Sequence, residues 1–205
     1  MNIKSMHIGV KLGVDRVAEN KTDGLLPQEI DFYLNEAIEL YIKQQYSFIK
    51  DETKSMESQY ALENLRTLIT TVPLNPNGTV DYLINNRITT LPEDYKYYIS
   101  ARVKTDTYKN LTLRSSKAIK LYTVTESNSP LFREYPIIIE GNKLIVIAPE
   151  TDPLSIDTTV SLTYIKEANE VSLPEKVNCN LPTHTHKEIV RLAVGQILTD
   201  LREVQ

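Results

Sequence analysis

Cys179, His184 and His186 fall within eight positions of one another, and their side chains are the most chemically capable cluster in the chain. A thiolate and two imidazoles are zinc ligands, but a tetrahedral site needs a fourth, and a His-x-His pair at a helix start turns its rings apart. The simpler expectation is that Cys179 is a small apolar loop residue and the histidines lead into a helix, partly solvated, with no metal held. A Ser/His or Cys/His nucleophilic pair would need a third group to orient the base, and none is evident. The six glycines, at 9, 13, 24, 78, 141 and 195, build no G-x-G-x-x-G, G-x-x-x-x-G-K-S/T or G-x-S-x-G, so nucleotide cradles and nucleophile elbows have no support. Carboxylate-pair hydrolases stay open, because their two acids meet only in space. No catalytic residue, metal ligand or cofactor is assigned.

Charge provides the second candidate. Lys96, Arg102, Lys104, Lys109, Arg114, Lys117 and Lys120 face only Asp106 between positions 96 and 120, a net +6 in a chain of net −4, so the remainder carries −10. Tyr95, Tyr97, Tyr98 and Tyr108 are interleaved with these cations. Such a stretch suits contact with DNA phosphates or with an acidic neighbouring protein. It equally suits a solvated sheet face, where Lys and Arg discourage edge-to-edge pairing. Phosphate-binding domains are usually net basic, which favours the acidic protein over DNA.

The scaffold for these residues is bounded by size. A chain of 205 residues with 41% hydrophobic and 24% charged content folds around its own core without a disulfide or metal. The single cysteine excludes an internal disulfide. The start carries no apolar signal segment, and no run approaches the ~20 apolar residues of a membrane span. A soluble, untargeted protein with no membrane partner is expected.

Ile8, Val10, Leu12 and Val14 alternate with His7, Gly9, Lys11 and Gly13, a period of two that predicts an extended N-terminal arm pairing with a distant strand or another chain. Deleting Met1 to Asn20 is then expected to leave the subunit folded and its assembly impaired. Pro27 starts a helix carrying Ile30, Tyr33, Leu34, Ala37, Ile38, Tyr41 and Gln45 to about Ser47. A second helix, marked by Met56, Ala61, Leu62, Leu65, Leu68 and Ile69, stops at Val72-Pro73, and the two suit an antiparallel hairpin. Short β-type runs follow: Val80 to Ile84, Arg87 to Thr90, Tyr97 to Thr105, Leu111 to Leu113, Leu121 to Thr125, Ile137 to Ile147 and Thr159 to Ile165. Gly141-Asn142 supplies positive-φ residues for a tight hairpin turn. Tyr97, Ile99, Ala101 and Val103 are expected on a core face, with Lys96, Tyr98, Arg102 and Lys104 on a basic one. Thr185 and Glu188 fit a capping box for a last helix.

The expected fold is α+β: a helical bundle from the N-terminal helix hairpin and the C-terminal helix, an inserted antiparallel β domain, and the extended arm. Its boundaries are 1–24 for the arm, 25–76 for the hairpin, 77–170 for the β domain and 171–205 for the last helix.

Leu26-Pro27-Gln28-Glu29-Ile30-Asp31-Phe32-Tyr33-Leu34-Asn35-Glu36-Ala37, running into Lys43-Gln44-Gln45-Tyr46, resembles the first-helix pattern of ring proteins of crAss-like phages, relatives of the head-to-tail adaptors of short-tailed phages. The likeness extends to Tyr60, to 64–69, to Leu91-Pro92-Glu93-Asp94-Tyr95, to Ser129-Pro130-Leu131-Phe132, to Gly141-Asn142, and to Leu181-Pro182 through His184, His186, Glu188, Ile189 and Ala193. It implies a non-enzymatic virion subunit without cofactor, made in the host cytoplasm and built into a ring of twelve copies at the head–tail junction. The implied partners are further copies, the portal protein, other tail or ring proteins, and genomic DNA passing through the centre without sequence-specific contact. A mildly acidic subunit suits such a conduit, since a strongly basic lumen would retain phosphate. The competing classes are a carbohydrate- or receptor-binding module with Tyr-rich strands lining a groove, and a carboxylate-based cell-wall hydrolase.

Overall fold

Asn2 opens the first helix, its Oδ1 accepting from the Ser5 N–H at 2.8 Å, as a good N-cap does. The computed structural model describes residues 1–17, 25–51, 55–79, 86–104, 108–113, 134–147 and 159–203. This helix, α1, runs over Ile3–Asp15, so Ile8, Val10, Leu12 and Val14 are helical and the extended arm is corrected. The buried set is Ile3, Met6, His7, Val10 and Val14, which is helical spacing. The alternation from Ile8 to Val14 mixes two buried residues with two exposed ones, Ile8 and Leu12.

Helix α2 spans Pro27–Lys50, with the Glu29 carboxylate accepting from the Leu26 N–H at 2.8 Å. Helix α3 spans only Ser55–Asn64. The second helix was expected to reach Ile69, but residues 65–68 form a turn and strand β1, Ile69–Leu74, follows. The run Ile69-Thr70-Thr71-Val72 explains this, because consecutive β-branched side chains are crowded on a helix and fit a pleated strand. The last helix, α4, covers His186–Glu203. Thr185 Oγ1 donates to the Pro182 carbonyl at 2.9 Å, in place of the expected capping-box contact.

The protein is α+β and divides into two units: Met1–Ile69 with Glu167–Gln205, and Thr70–Lys166. In the helical unit α2 packs against α3 and α4, and α1 packs against α4. Its buried residues include Met6, Leu34, Ile38, Tyr41, Ile42, Leu65 and Ile189. None of its helices among the described residues is long and apolar enough to cross a membrane.

The other unit is a seven-stranded sheet in the order β1-β7-β3-β4-β5-β6-β2, with β2 Asn86–Thr90, β3 Tyr95–Lys104, β4 Tyr108–Leu113, β5 Glu134–Glu140, β6 Lys143–Ile147 and β7 Thr159–Lys166. The wholly antiparallel expectation is corrected at one place, since β4 and β5 pair in parallel. Parallel neighbours need a crossover of about a dozen residues or more, a length that residues 114–133 supply. Pro73 falls in β1, an edge strand, where its missing donor breaks no internal ladder. The β5–β6 hairpin turns at Gly141 with φ of 58°. Asn142 is not in the positive-φ region, which matches a turn needing that conformation only at its first central residue. The expected runs 80–84 and 121–125 lie outside the described residues.

Strand β3 departs from simple alternation. Two irregularities in its pairing with β7, between Tyr95 and Tyr97 and between Tyr98 and Ser100, each set one extra residue against the partner and so exchange the faces. Tyr98 therefore packs with Ala101 and Val103 in the core and donates to the Leu111 carbonyl at 2.9 Å. Its expected place on the basic face, and that of Tyr97 and Ile99 in the core row, are corrected by these bulges.

The same core contains Tyr164, whose Oη donates to Asp94 Oδ1 at 2.7 Å. Burial, then the hydrogen bond and charge of Asp94, push its pKa up to about 12. In the helical unit, burial and the nearby Glu188 carboxylate push Tyr41 up to about 12. A folded-state pKa above the ordinary value of 10 means that the native state favours the neutral phenol. Its stabilisation is complete below pH ~10 and is lost as pH rises toward ~12. Urea midpoints should be unaffected by these two groups below pH ~10 and fall beyond it. In Tyr164→Phe the Tyr164 share of that fall should vanish.

Candidate functional site

Asp31 and Asn35 lie one turn apart on α2 and together fix the segment that leads toward α4. Asn35 Oδ1 accepts from the Val171 N–H at 2.7 Å, and Asn35 Nδ2 donates to the Val171 carbonyl at 3.2 Å. The Leu173 N–H reaches both oxygens of Asp31, at 3.1 and 3.0 Å. The side chains of α2 thus satisfy backbone groups of 171–173 as a neighbouring strand would. Beyond them the Ser172–Val177 bridge closes around Lys176, at φ of 59°.

His7 Nε2 donates to Asp31 Oδ1 at 2.7 Å, tying α1 to the same carboxylate. An Asp–His pair is the orienting half of a nucleophilic triad. Here His7 is 4% exposed and Asp31 7%, so substrate does not reach the imidazole, and the carboxylate already receives the Leu173 amide. The pair anchors structure.

The structure gives the other chemically capable residues similar work. His186 Nε2 donates to the Leu181 carbonyl at 2.8 Å, while its Nδ1 lies 2.9 Å from the Met1 nitrogen and 3.0 Å from the Met1 carbonyl. His184 Nε2 is 3.0 Å from Asn64 Oδ1, and Asn64 Nδ2 donates to Gln45 Oε1 at 2.9 Å. Cys179 is buried, and desolvation pushes its thiol pKa up, which lowers its thiolate content. Among the described residues no group of three or more His, Cys, Asp or Glu side chains is placed to hold a metal ion.

All the large apolar side chains that remain exposed among the described residues belong to the helical unit: Met1, Ile8, Leu12 and Val17 around α1, Leu26 and Phe32 at the start of α2, and Met56 and Tyr60 on α3. Between α1 and α4 runs a groove of about 380 Å³, with Leu12, Val190 and Val194 among its apolar lining and Arg16, Lys187 and Arg191 as its cations. The glycines at 9 and 13 bring the two helices close. A Cβ on Gly9 would stand 3.2 Å from Val190 Cγ1, and one on Gly13 only 2.6 Å from Val194 Cγ2.

This packing sets up a direct test. Gly13→Ala gains about 1 kcal/mol of helix propensity, but the added methyl must displace a β-branched side chain with little freedom to rotate. Overpacking of this kind costs about 1–3 kcal/mol, so a net loss of up to about 2 kcal/mol is expected. Val194→Ala should relieve the clash, and a double-mutant cycle in urea should show a favourable coupling between the two changes.

On α3, Met56 and Tyr60 are 68% and 66% exposed. Being four residues apart, they stand on one helix face. Glu57 and Glu63 flank them, and Glu63 pairs with Arg66 at 2.8 Å on the open surface. A second concavity of about 470 Å³ is lined here by Met56, Gln59, Tyr60, Leu62 and Glu63.

Four of the seven basic residues lie on described strands of the sheet. Lys96 sits half-buried in the first β3 bulge, and Arg102 is exposed between Asn110 of β4 and Ser161 of β7. Lys104 stands opposite Tyr108 and Thr159, and Lys109 opposite Val103, one register position from the Arg102 pair. Arg114, Lys117 and Lys120 lie outside the described residues.

Sequence reasoning missed the Asp31–Asn35 clamp and the cations of the groove. The clamp had a signal in two short polar side chains at i and i+4 on the face that also carries Ile30, Leu34 and Ile38. Arg16, Lys187 and Arg191 come from helices distant in sequence, and only the packing of α1 on α4 joins them. Against protein-family models and against curated proteins, the sequence has no match.

Proposed function

We propose that this chain is a structural virion subunit, one copy of a connector ring of twelve that sits below the portal vertex and forms part of the channel through which the genome passes. The observation that carries this reading is the set of exposed large apolar side chains that the helical unit presents among the described residues, on and beside α1, at the start of α2 and on α3. Single exposed apolar residues are ordinary, whereas clusters rimmed by charge mark surfaces that other protein covers. The strings on which the likeness to ring proteins rests also support it, because they contain polar contacts that hold the fold. Asp31 and Asn35 clamp 171–173, Asp94 receives Tyr164, and Asn64 lies between Gln45 and His184. A likeness carried by architecture fits a subunit whose work is assembly.

In this role the portal, further ring copies and other tail proteins are the partners, and DNA is passed without base-specific contact. Light scattering of the purified chain, alone and mixed with a portal ring, tests the reading. The expected result is a discrete multimer on the portal. A chain that stays monomeric and ignores the portal, yet binds or cleaves a glycan, would end it.

A further inference from the structure

We propose that Asn77 and Gly78 form a self-modifying site, at which the Gly78 backbone nitrogen displaces ammonia from the Asn77 side-chain amide and water then opens the resulting imide, lengthening the backbone and uncovering the outer edge of β2. The chemistry needs no partner and holds whether or not the chain joins a ring.

Asn77 is the only asparagine of the chain that precedes a glycine. A side chain at the following position would crowd the attack on Asn77 Cγ, and glycine has none. Asn77 is exposed, and among the described residues no hydrogen bond holds its side-chain amide. The attacking nitrogen is engaged in an isolated bridge to Ile88 of β2. In that bridge the Gly78 N–H donates to the Ile88 carbonyl at 3.2 Å, and the Ile88 N–H donates back at 2.8 Å. The bond that must break is therefore the longer one, at the far end of the usual range. Opening a lone bridge of this kind slows the reaction about tenfold relative to the unfolded chain.

The step balances with water as its sole co-reactant. Gly78 N bonds to Asn77 Cγ, the Cγ–Nδ2 bond breaks, and the Gly78 proton leaves with the amide nitrogen as ammonia. Water then opens either C–N bond of the ring. Opening at Cγ gives aspartate on the original backbone. Opening at the Asn77 backbone carbonyl gives isoaspartate, whose main chain runs through Cβ and Cγ and is longer by a methylene. Upstream the chain resists that extra length, because Pro76 is buried and Asn75 Oδ1 accepts from Thr159 Oγ1 of β7 at 3.3 Å. Gly78 is then the part that moves. Ile88 loses both bonds and leaves an unpaired N–H and carbonyl on an edge strand, which invites pairing with another chain.

Ageing the full chain in mildly alkaline buffer, with the residue-77 peptide read by mass spectrometry and an isoaspartate methylation assay, tests this. The parent should convert at residue 77, and about tenfold faster once unfolded in urea. Gly78→Ala should slow conversion about tenfold or more. It keeps the bridge, because its Cβ would stand 3.6 Å from Ile88 Cβ, an ordinary contact. Hydrogen exchange at the Ile88 amide should rise about tenfold in the isoaspartate form. It should stay at the parent rate in Asn77→Asp, which adds the charge without the longer backbone. A folded-chain conversion rate below about a hundredth of the unfolded one, or a rate that ignores Gly78→Ala, overturns the site. An isoaspartate form that still protects the Ile88 amide overturns the uncovering of β2.

Discussion

Asp31→Ala is expected to destabilise the helical unit by about 3–5 kcal/mol, the range for removing one member of a buried polar pair. The carboxylate receives His7 from α1 and the Leu173 amide at once, and its truncation leaves both donors buried without a partner. Each unsatisfied group adds about 1–3 kcal/mol. Asp31→Asn should fall between parent and alanine variant, because its carbonyl keeps one acceptor while its amide nitrogen meets the second donor. Urea unfolding of the three proteins measures this. An alanine variant within 1 kcal/mol of the parent would show that α1, α2 and the 171–177 segment hold together without the clamp.

Removing residues 1–17 should abolish folding of the helical unit. Ile3, Met6, Val10 and Val14 are between 0% and 4% exposed, and burying each contributes about 1.5–3 kcal/mol. Their sum is comparable to the whole stability of a typical domain, about 5–15 kcal/mol. Loss of the His7–Asp31 bond adds to it. A milder probe is Met6→Ala, at a fully buried position, with an expected cost of about 2–5 kcal/mol. Circular dichroism and gel filtration of the truncated chain, with denaturant titration of Met6→Ala, check both. A truncated chain that stays folded would restore the picture of a detachable arm.

That arm shows where sequence pattern misleads. Seven residues of strict alternation from Ile8 to Val14 suit a strand, yet Ile3 and Met6 upstream and the cap at Asn2 decide for a helix. Gly9 and Gly13 discourage a helix by propensity but let α1 approach α4, a tertiary gain that no local window contains. Helix α2 was legible because Pro27, the acidic first-turn residue Glu29 and six apolar positions agree on one period. The Gly141 hairpin was legible because turn chemistry is local. The β3 faces were not, because a bulge is defined by the partner strand: β7 sets two β3 residues against one. His184 and His186 stand at a helix entry as expected, but His186 is buried where partial solvation was expected, because its contact with Met1, like that of His184 with Asn64, joins residues far apart in sequence. The candidate surface was the least legible part, since its apolar floor and cations come from helices more than 170 positions apart in the chain.

The most direct measurement is a single-particle reconstruction of this chain bound to a portal ring. The account predicts a closed ring of identical copies against the portal, with Leu12 and Tyr60 covered by other protein and a DNA-wide channel at the centre. Isolated copies scattered on the portal, or a ring in which both α1 and α3 face solvent, would contradict it.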